Sequence, residues 1–236
     1  MHDLSSLRRL VGNRLPDRSV RGIVRAFPAT IALTTIISTT SLATRNFSDE
    51  RYERLLTQIG MSYADVWTRD AWHLFTVTFI QSEPGMGPGM LALLLSGLGL
   101  AELQLGAGRT VTTFFVCDWI CTIVTSILLG ALQHLDFAPI VEAFHEFDAG
   151  SSAAGVATLS AGLFLLFPNR LARIALAVVL LWNVVSFDFL EPGPATVHTV
   201  AVFVGVIFAQ VVWKRGTFGR VVPSPLPGHG FTDAHA

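Results

Sequence analysis

Charge is scarce in this chain. Only 14% of its 236 residues are Asp, Glu, Lys or Arg, against 51% hydrophobic ones, and the mean hydropathy is +0.55. A water-soluble domain could not cover that much apolar surface with polar side chains, so an integral membrane protein is implied. Cysteine is nearly absent as well. Two thiols, Cys117 and Cys121, make no disulfide framework and fall short of the four ligands of a structural zinc site. Four residues apart on one helix face, they read as small buried hydrophobes. His229 and His235 are too sparse for metal capture, so neither a metal nor a cofactor is expected. Lysine is represented by Lys214 alone. The cationic charge ahead of the first apolar run is arginine: Arg8, Arg9, Arg14, Arg18, Arg21 and Arg25. These read as topology determinants and contacts for anionic lipid headgroups, not as a nucleic-acid surface.

What the chain does have is long apolar runs. Six are of a length to cross a bilayer as helices: Ala26 to Thr44, Met86 to Leu105, Thr110 to Gln133, Ala149 to Pro168, Ile174 to Leu190 and Pro194 to Trp213. They are continuous rather than alternating, which favours helices over barrel strands. Arginine and lysine cluster at alternate connections: Arg109, Arg170 with Arg173, and Lys214, Arg215 and Arg220 after the sixth run. Asp136, Glu142, Glu146, Asp148, Asp188 and Glu191 mark the opposite side. Positive charge stays in the cytoplasm, so both termini are expected inside. The first run is longer than a secretory signal core and should remain attached. The expected organisation is a basic cytoplasmic segment 1–25, a membrane domain 26–213, and a cytoplasmic tail 214–236 rich in Pro and Gly.

The long first outer loop mixes charge with spaced apolar residues. Leu55, Leu56 and Ile59 share a helical face behind a capping stretch at Asn46 to Ser48. Short helices in the outer interface are expected there, with Trp67 and Trp72 as aromatic anchors. Ala71 to Ser82 is too short to span and should pack against the bundle, ahead of a turn at 83–89.

Two short patterns carry chemistry. Gly150-Ser151-Ser152-Ala153 opens the fourth run, and His198-x-x-Ala201-x-x-x-Gly205 lies in the sixth. A serine hydroxyl becomes a nucleophile when an imidazole accepts its proton. The Ser152 amide, at a helix start with no intrahelical partner, can hold a developing oxyanion. Small residues on both runs, including Gly150, Gly155, Ala201 and Gly205, would let the two helices approach closely. Taken singly, Ser152 is as readily an interhelical hydrogen-bonding group and His198 a bridge between helices. Asp118, half-way along the third run, is read as an interhelical hydrogen-bonding group in preference to part of a proton or ion path.

Segment order, loop sizes and motif order from Ala26 to Trp213 resemble the rhomboid intramembrane serine proteases. The places that carry the resemblance are Trp72-His73 late in the first outer loop, Glu102-x-x-x-Gly106 closing the second run, Gly150-x-Ser152-Ala153 opening the fourth, and His198-x-x-Ala201-x-x-x-Gly205 in the sixth. The resemblance implies an all-α, six-transmembrane-helix rhomboid-like bundle with a long, partly helical first outer loop. It implies a Ser152/His198 catalytic dyad cleaving membrane-protein substrates, with Ser151 at the variable motif position. Trp72, His73, Glu102, Gly106, Gly150 and Gly205 become structural positions. Glu102 would satisfy backbone groups of the loop that follows it, with Gly106 and Gly108 as turn and cap positions.

The chain departs from that pattern in several places. The second run lacks the family's His and Asn oxyanion donors, His73 stands for an arginine, Ala153 for a glycine, and Val156 where an aromatic often packs. Gln81 and Ser82 are candidate replacement donors beside the Ser152 amide. The alternative reading is a rhomboid-like pseudoprotease that binds transmembrane segments without cutting them. Asp148-x-Gly150-x-Ser152 and the arginine-rich composition resemble divergent rhomboid-like proteins of high-GC bacteria, which implies a bacterial cytoplasmic membrane. The expected partners are membrane lipids and transmembrane proteins, with no nucleic acid.

Overall fold

The computed structural model describes residues 19–82, 84–148, 150–166, 174, 176, 178 and 192–214. Most of the basic segment 1–25, most of the fifth expected run and the tail beyond Lys214 lie outside the described residues. The chain enters through α1, Val20–Ala26, whose first turn is capped by the Ser19 hydroxyl accepting from Gly22 N at 3.1 Å. Proline 28 then ends that helix and starts the next. Its ring disfavours helical geometry at the preceding residue, and Phe27 sits at φ −130°, while Pro28 itself fits the first turn of α2, Pro28–Thr44. The first expected run therefore begins two residues late.

Among the described residues, three helices are long and apolar enough to cross a membrane. They are α5, Pro88–Leu105; α6, Ala107–Leu132, prolonged by a 3-10 turn at Gln133–Leu135; and the sixth expected run, α9, Pro192–Phe208, prolonged by a π turn at Ala209–Lys214. The fourth expected run is a shorter apolar helix, α8, Ser152–Leu166. Between α2 and α5 come α3, Asp49–Ile59, and the short α4, His73–Val77. Between α6 and α8 lies α7, Ala138–His145. The all-α expectation needs one correction. Strand β1, Met61–Ser62, pairs antiparallel with β2, Phe147–Asp148, clasping the connection between α2 and α5 to the segment that leads into α8.

Helix α8 is the middle of the bundle, packed on α5, α6 and α9. Its small side chains make this possible, since Ala153, Ala154, Gly155, Ala157, Ser160, Ala161 and Gly162 are all buried. Helices that cannot use water exclusion against lipid gain their attraction from close backbone approach. A Cβ at Gly97 of α5 would meet Gly155 O at 2.8 Å, and one at Gly205 of α9 would meet Ala157 O at 2.1 Å. Gly205→Ala should therefore force α8 and α9 apart and cost about 2–3 kcal/mol. A thermal melt in detergent checks this, and a melt like that of the wild type would show that the contact has slack.

One core cluster joins Cys117, Cys121 and Leu129 of α6 to Ala153, Val156 and Ala157 of α8 and Val197, Ala201 and Val202 of α9. Both cysteines are buried and neither forms a disulfide. A second cluster joins Leu33 and Ile37 of α2 to Leu94 and Leu98 of α5, Phe114 of α6 and Ala154 of α8.

Candidate functional site

Gly150 and the residues after it open the site. Gly150 has φ +137°, a left-handed conformation that disfavours any residue with a Cβ, and its N–H donates to Val77 O of α4 at 3.1 Å. That kink swings the chain from β2 into α8. Ser151 is fully buried; its hydroxyl accepts from Gln81 Nε2 at 3.3 Å and lies 3.9 Å from the Met90 sulfur. Ser152 starts α8 and is half-buried. Among the described residues its hydroxyl takes no hydrogen bond, and no hydrogen bond joins it to His198. Of the two adjacent hydroxyls, Ser151 is committed to holding Gln81 and Ser152 is not.

His198 comes from α9, which runs parallel to α8. A Cβ at Gly193, in the first turn of α9, would lie 3.4 Å from Ala143 and 3.9 Å from the Tyr63 ring. Tyr63 directly follows β1, whose partner β2 precedes α8, so both helices start at the same end. They then cross at Gly205 and Ala157. Counting back from that crossing at 1.5 Å per residue, His198 lies about 10 Å and Ser152 about 7.5 Å toward the shared starting end, so their levels differ by roughly 3 Å. The His198 side chain is half-buried, and its Nε2 is fully buried with no hydrogen-bond partner. An unpaired buried ring nitrogen is costly, which makes it a feature to account for.

Gln81 is the polar side chain that the connection between α2 and α5 contributes. It is buried, its Oε1 lies 3.5 Å from the position a Cβ would take at Gly150, and its Nε2 reaches Ser151. The Tyr52 hydroxyl of α3 donates to the Gln81 carbonyl and fixes its backbone. Ser82, the other candidate donor, is exposed and is not brought to Ser152 by any contact among the described residues.

The remaining motif residues are structural. His73 and Trp72 stack with ring centroids 3.9 Å apart. The His73 ring nitrogens lie 3.1 Å from Asp70 O and 3.3 Å from Gln58 O, which staples the end of α3 to the start of α4. Glu102 is buried and does not serve the loop that follows it, contrary to expectation. Its carboxylate accepts from Ala29 N at 2.9 Å, Thr30 N at 2.8 Å and the Thr30 hydroxyl at 2.7 Å, capping α2 from another helix. The N-cap residue is Phe27, whose ring offers no acceptor, so α2 has no side-chain cap of its own and its free amides need an acceptor from elsewhere. Gly106, at φ +78°, makes the turn between α5 and α6 as expected, whereas Gly108 lies inside α6.

Asp118 follows the interhelical reading. It is buried and accepts from the Thr78 hydroxyl at 2.6 Å, while Trp119 Nε1 donates to Leu74 O at 3.2 Å. Together they dock Ala71 to Ser82 on α6. Thr78 and Thr30 carry no pattern in the sequence, and Tyr52 reads there only as one of the spaced apolar residues of the loop. Each is an ordinary residue whose role depends on a partner at least 29 positions away. Among the described residues no group of three or more His, Cys, Asp or Glu is placed to hold a metal. No family model, curated protein or solved structure matches the chain.

Proposed function

We propose that this chain is a rhomboid-type intramembrane serine protease, with Ser152 as nucleophile and His198 as base. The observation that carries the reading is the α8/α9 crossing: it sets an uncommitted serine hydroxyl and an imidazole with an unpartnered Nε2 at nearly one level on adjacent parallel helices. In the proposed reaction Ser152 Oγ attacks a peptide carbonyl while its proton passes to His198 Nε2. The oxyanion is held by the Ser152 N–H and by Gln81 Nε2, which has a second hydrogen to donate. His198 then protonates the leaving amine. Water, activated by the same imidazole, hydrolyses the acyl-enzyme and regenerates the serine. The cleaved segment must be unwound at the site, since a helix encloses its own peptide bonds. In this reading the chain makes six spans of a bacterial cytoplasmic membrane with both termini inside, and Ser152 opens to the outer face.

A fluorophosphonate probe tests the proposal on the purified full chain. Labelling should be lost in Ser152→Ala and His198→Ala and kept in Ser151→Ala. Labelling that survives Ser152→Ala overturns the assignment. The second reading, a pseudoprotease that binds transmembrane segments, is favoured by the lack of a Ser152–His198 hydrogen bond among the described residues, and no labelling of the folded wild type would support it. If Gln81 is the second oxyanion donor, Gln81→Ala should lower kcat about a hundredfold with KM little changed. Cleavage of a fluorogenic transmembrane peptide in liposomes measures both constants.

A further inference from the structure

A cavity of about 580 Å³ lies where α2 ends and α5 begins, on the side of α5 away from Glu102. One face of α2 supplies Ser38, Ser41, Leu42 and Arg45, and the turn into α5 supplies Pro84, Gly85 and Gly87. The spacing on α2 is i, i+3, i+4 and i+7, so hydroxyls and guanidinium form one stripe.

Ser41 is 3% exposed, lines this cavity, and its hydroxyl has no hydrogen-bond partner. A helical serine usually bonds to the carbonyl four residues back, yet here Ile37 O already takes the Thr40 hydroxyl. Arg45 is exposed and makes no ion pair among the described residues, and its stem lies 3.8 Å from where a Gly85 Cβ would stand. Helix α5 has no side-chain cap, and a Cβ at Gly87 or Gly89 would meet nothing within 4 Å, so a ligand can approach the backbone amides directly. No carboxylate lines the cavity among the described residues. The last carbonyls of α2 oppose an anion, but the Thr44 hydroxyl already donates to those of Thr40 and Ser41.

We infer that this cavity is an anion site for a phosphate group, with Arg45 as the charge partner, Ser41 and Ser38 as hydroxyl donors and the α5 start as a dipole. Its place at the start of α5, a helix long and apolar enough to cross a membrane, makes the phosphodiester of an anionic phospholipid the occupant. It is independent of the catalytic reading.

The test titrates the full chain in detergent with short-chain phosphatidylglycerol, phosphatidylcholine and inorganic phosphate, followed by native mass spectrometry. Phosphatidylglycerol should bind about tenfold tighter than phosphatidylcholine. Arg45→Gln should lose about tenfold and Ser41→Ala about threefold. Arg51→Gln, which removes the same charge from the neighbouring α3, should lose nothing. Ser41→Ala should keep the wild-type melt, because the hydroxyl it removes has no partner. Inorganic phosphate competing in an Arg45-dependent manner confirms the phosphate chemistry and makes free phosphate a second source; failure to compete confines the site to lipid. Equal losses in Arg45→Gln and Arg51→Gln, or no preference for phosphatidylglycerol, overturn the inference.

Discussion

His198→Leu should abolish cleavage, by about 10⁶-fold in kcat, and yet leave the protein as stable as before or more so. The two halves of this expectation come from different observations. The loss of rate follows from the proposed chemistry, since without a base the Ser152 hydroxyl stays protonated and unreactive. The retained stability follows from the unpartnered Nε2. A buried polar atom that bonds to nothing costs about 1–3 kcal/mol, and an apolar residue of similar size removes that cost. Were His198 a bridge between helices, the signs would reverse, with stability falling and no catalytic consequence. A melting curve and a liposome cleavage assay on one variant separate the two. A melting temperature several degrees lower would count against the base.

Glu102→Ala should have the largest effect on folding. Three donors at the start of α2, Ala29 N, Thr30 N and the Thr30 hydroxyl, converge on this one buried carboxylate. Removing it leaves two amides and a hydroxyl unpaired where water is scarce, and each hydrogen bond to a charged acceptor contributes about 1.5–3 kcal/mol. Allowing for relaxation and some water entry, a net loss of about 3–5 kcal/mol is expected. Glu102→Gln should cost less, because the amide oxygen still accepts while its NH₂ faces a donor. Probe labelling per folded molecule should be unchanged in Glu102→Gln, since the residue caps α2 and touches nothing at Ser152. A melt of Glu102→Ala within a degree or two of wild type would mean that α2 finds another cap.

The sequence exposes what periodicity and composition encode. Apolar helices near the expected boundaries, buried cysteines, the Gly106 turn, the glycine at the helix crossing and the docking of Ala71 to Ser82 were all legible, because each is a local pattern or a size constraint. The misses share a different cause. Two-residue strands such as Met61–Ser62 and Phe147–Asp148 are too short to show alternation. Glu102 was assigned to the loop beside it, because a sequence displays neighbours along the chain, while its partners lie 72 and 73 residues away. The break at Phe27 was hidden inside a hydrophobic run, and only the proline marks it. At the site, two adjacent serines could be told apart only by their surroundings: Ser151 is fully buried and bonded to Gln81, and Ser152 is half-buried with its hydroxyl uncommitted.

The connection between α2 and α5 is wired to the segment carrying the serine at several points. β1 pairs with β2, Ala64 N donates to Phe144 O, Gly150 N to Val77 O, and Tyr52 to the Gln81 carbonyl. A lever of this kind transmits force in both directions. An antibody fragment gripping Asp49–Ile59 would not cover Ser152 itself, but it would lock or displace Gln81 and Gly150. In the proposed protease its signature would be non-competitive inhibition, a brake applied through the loop and not at the serine.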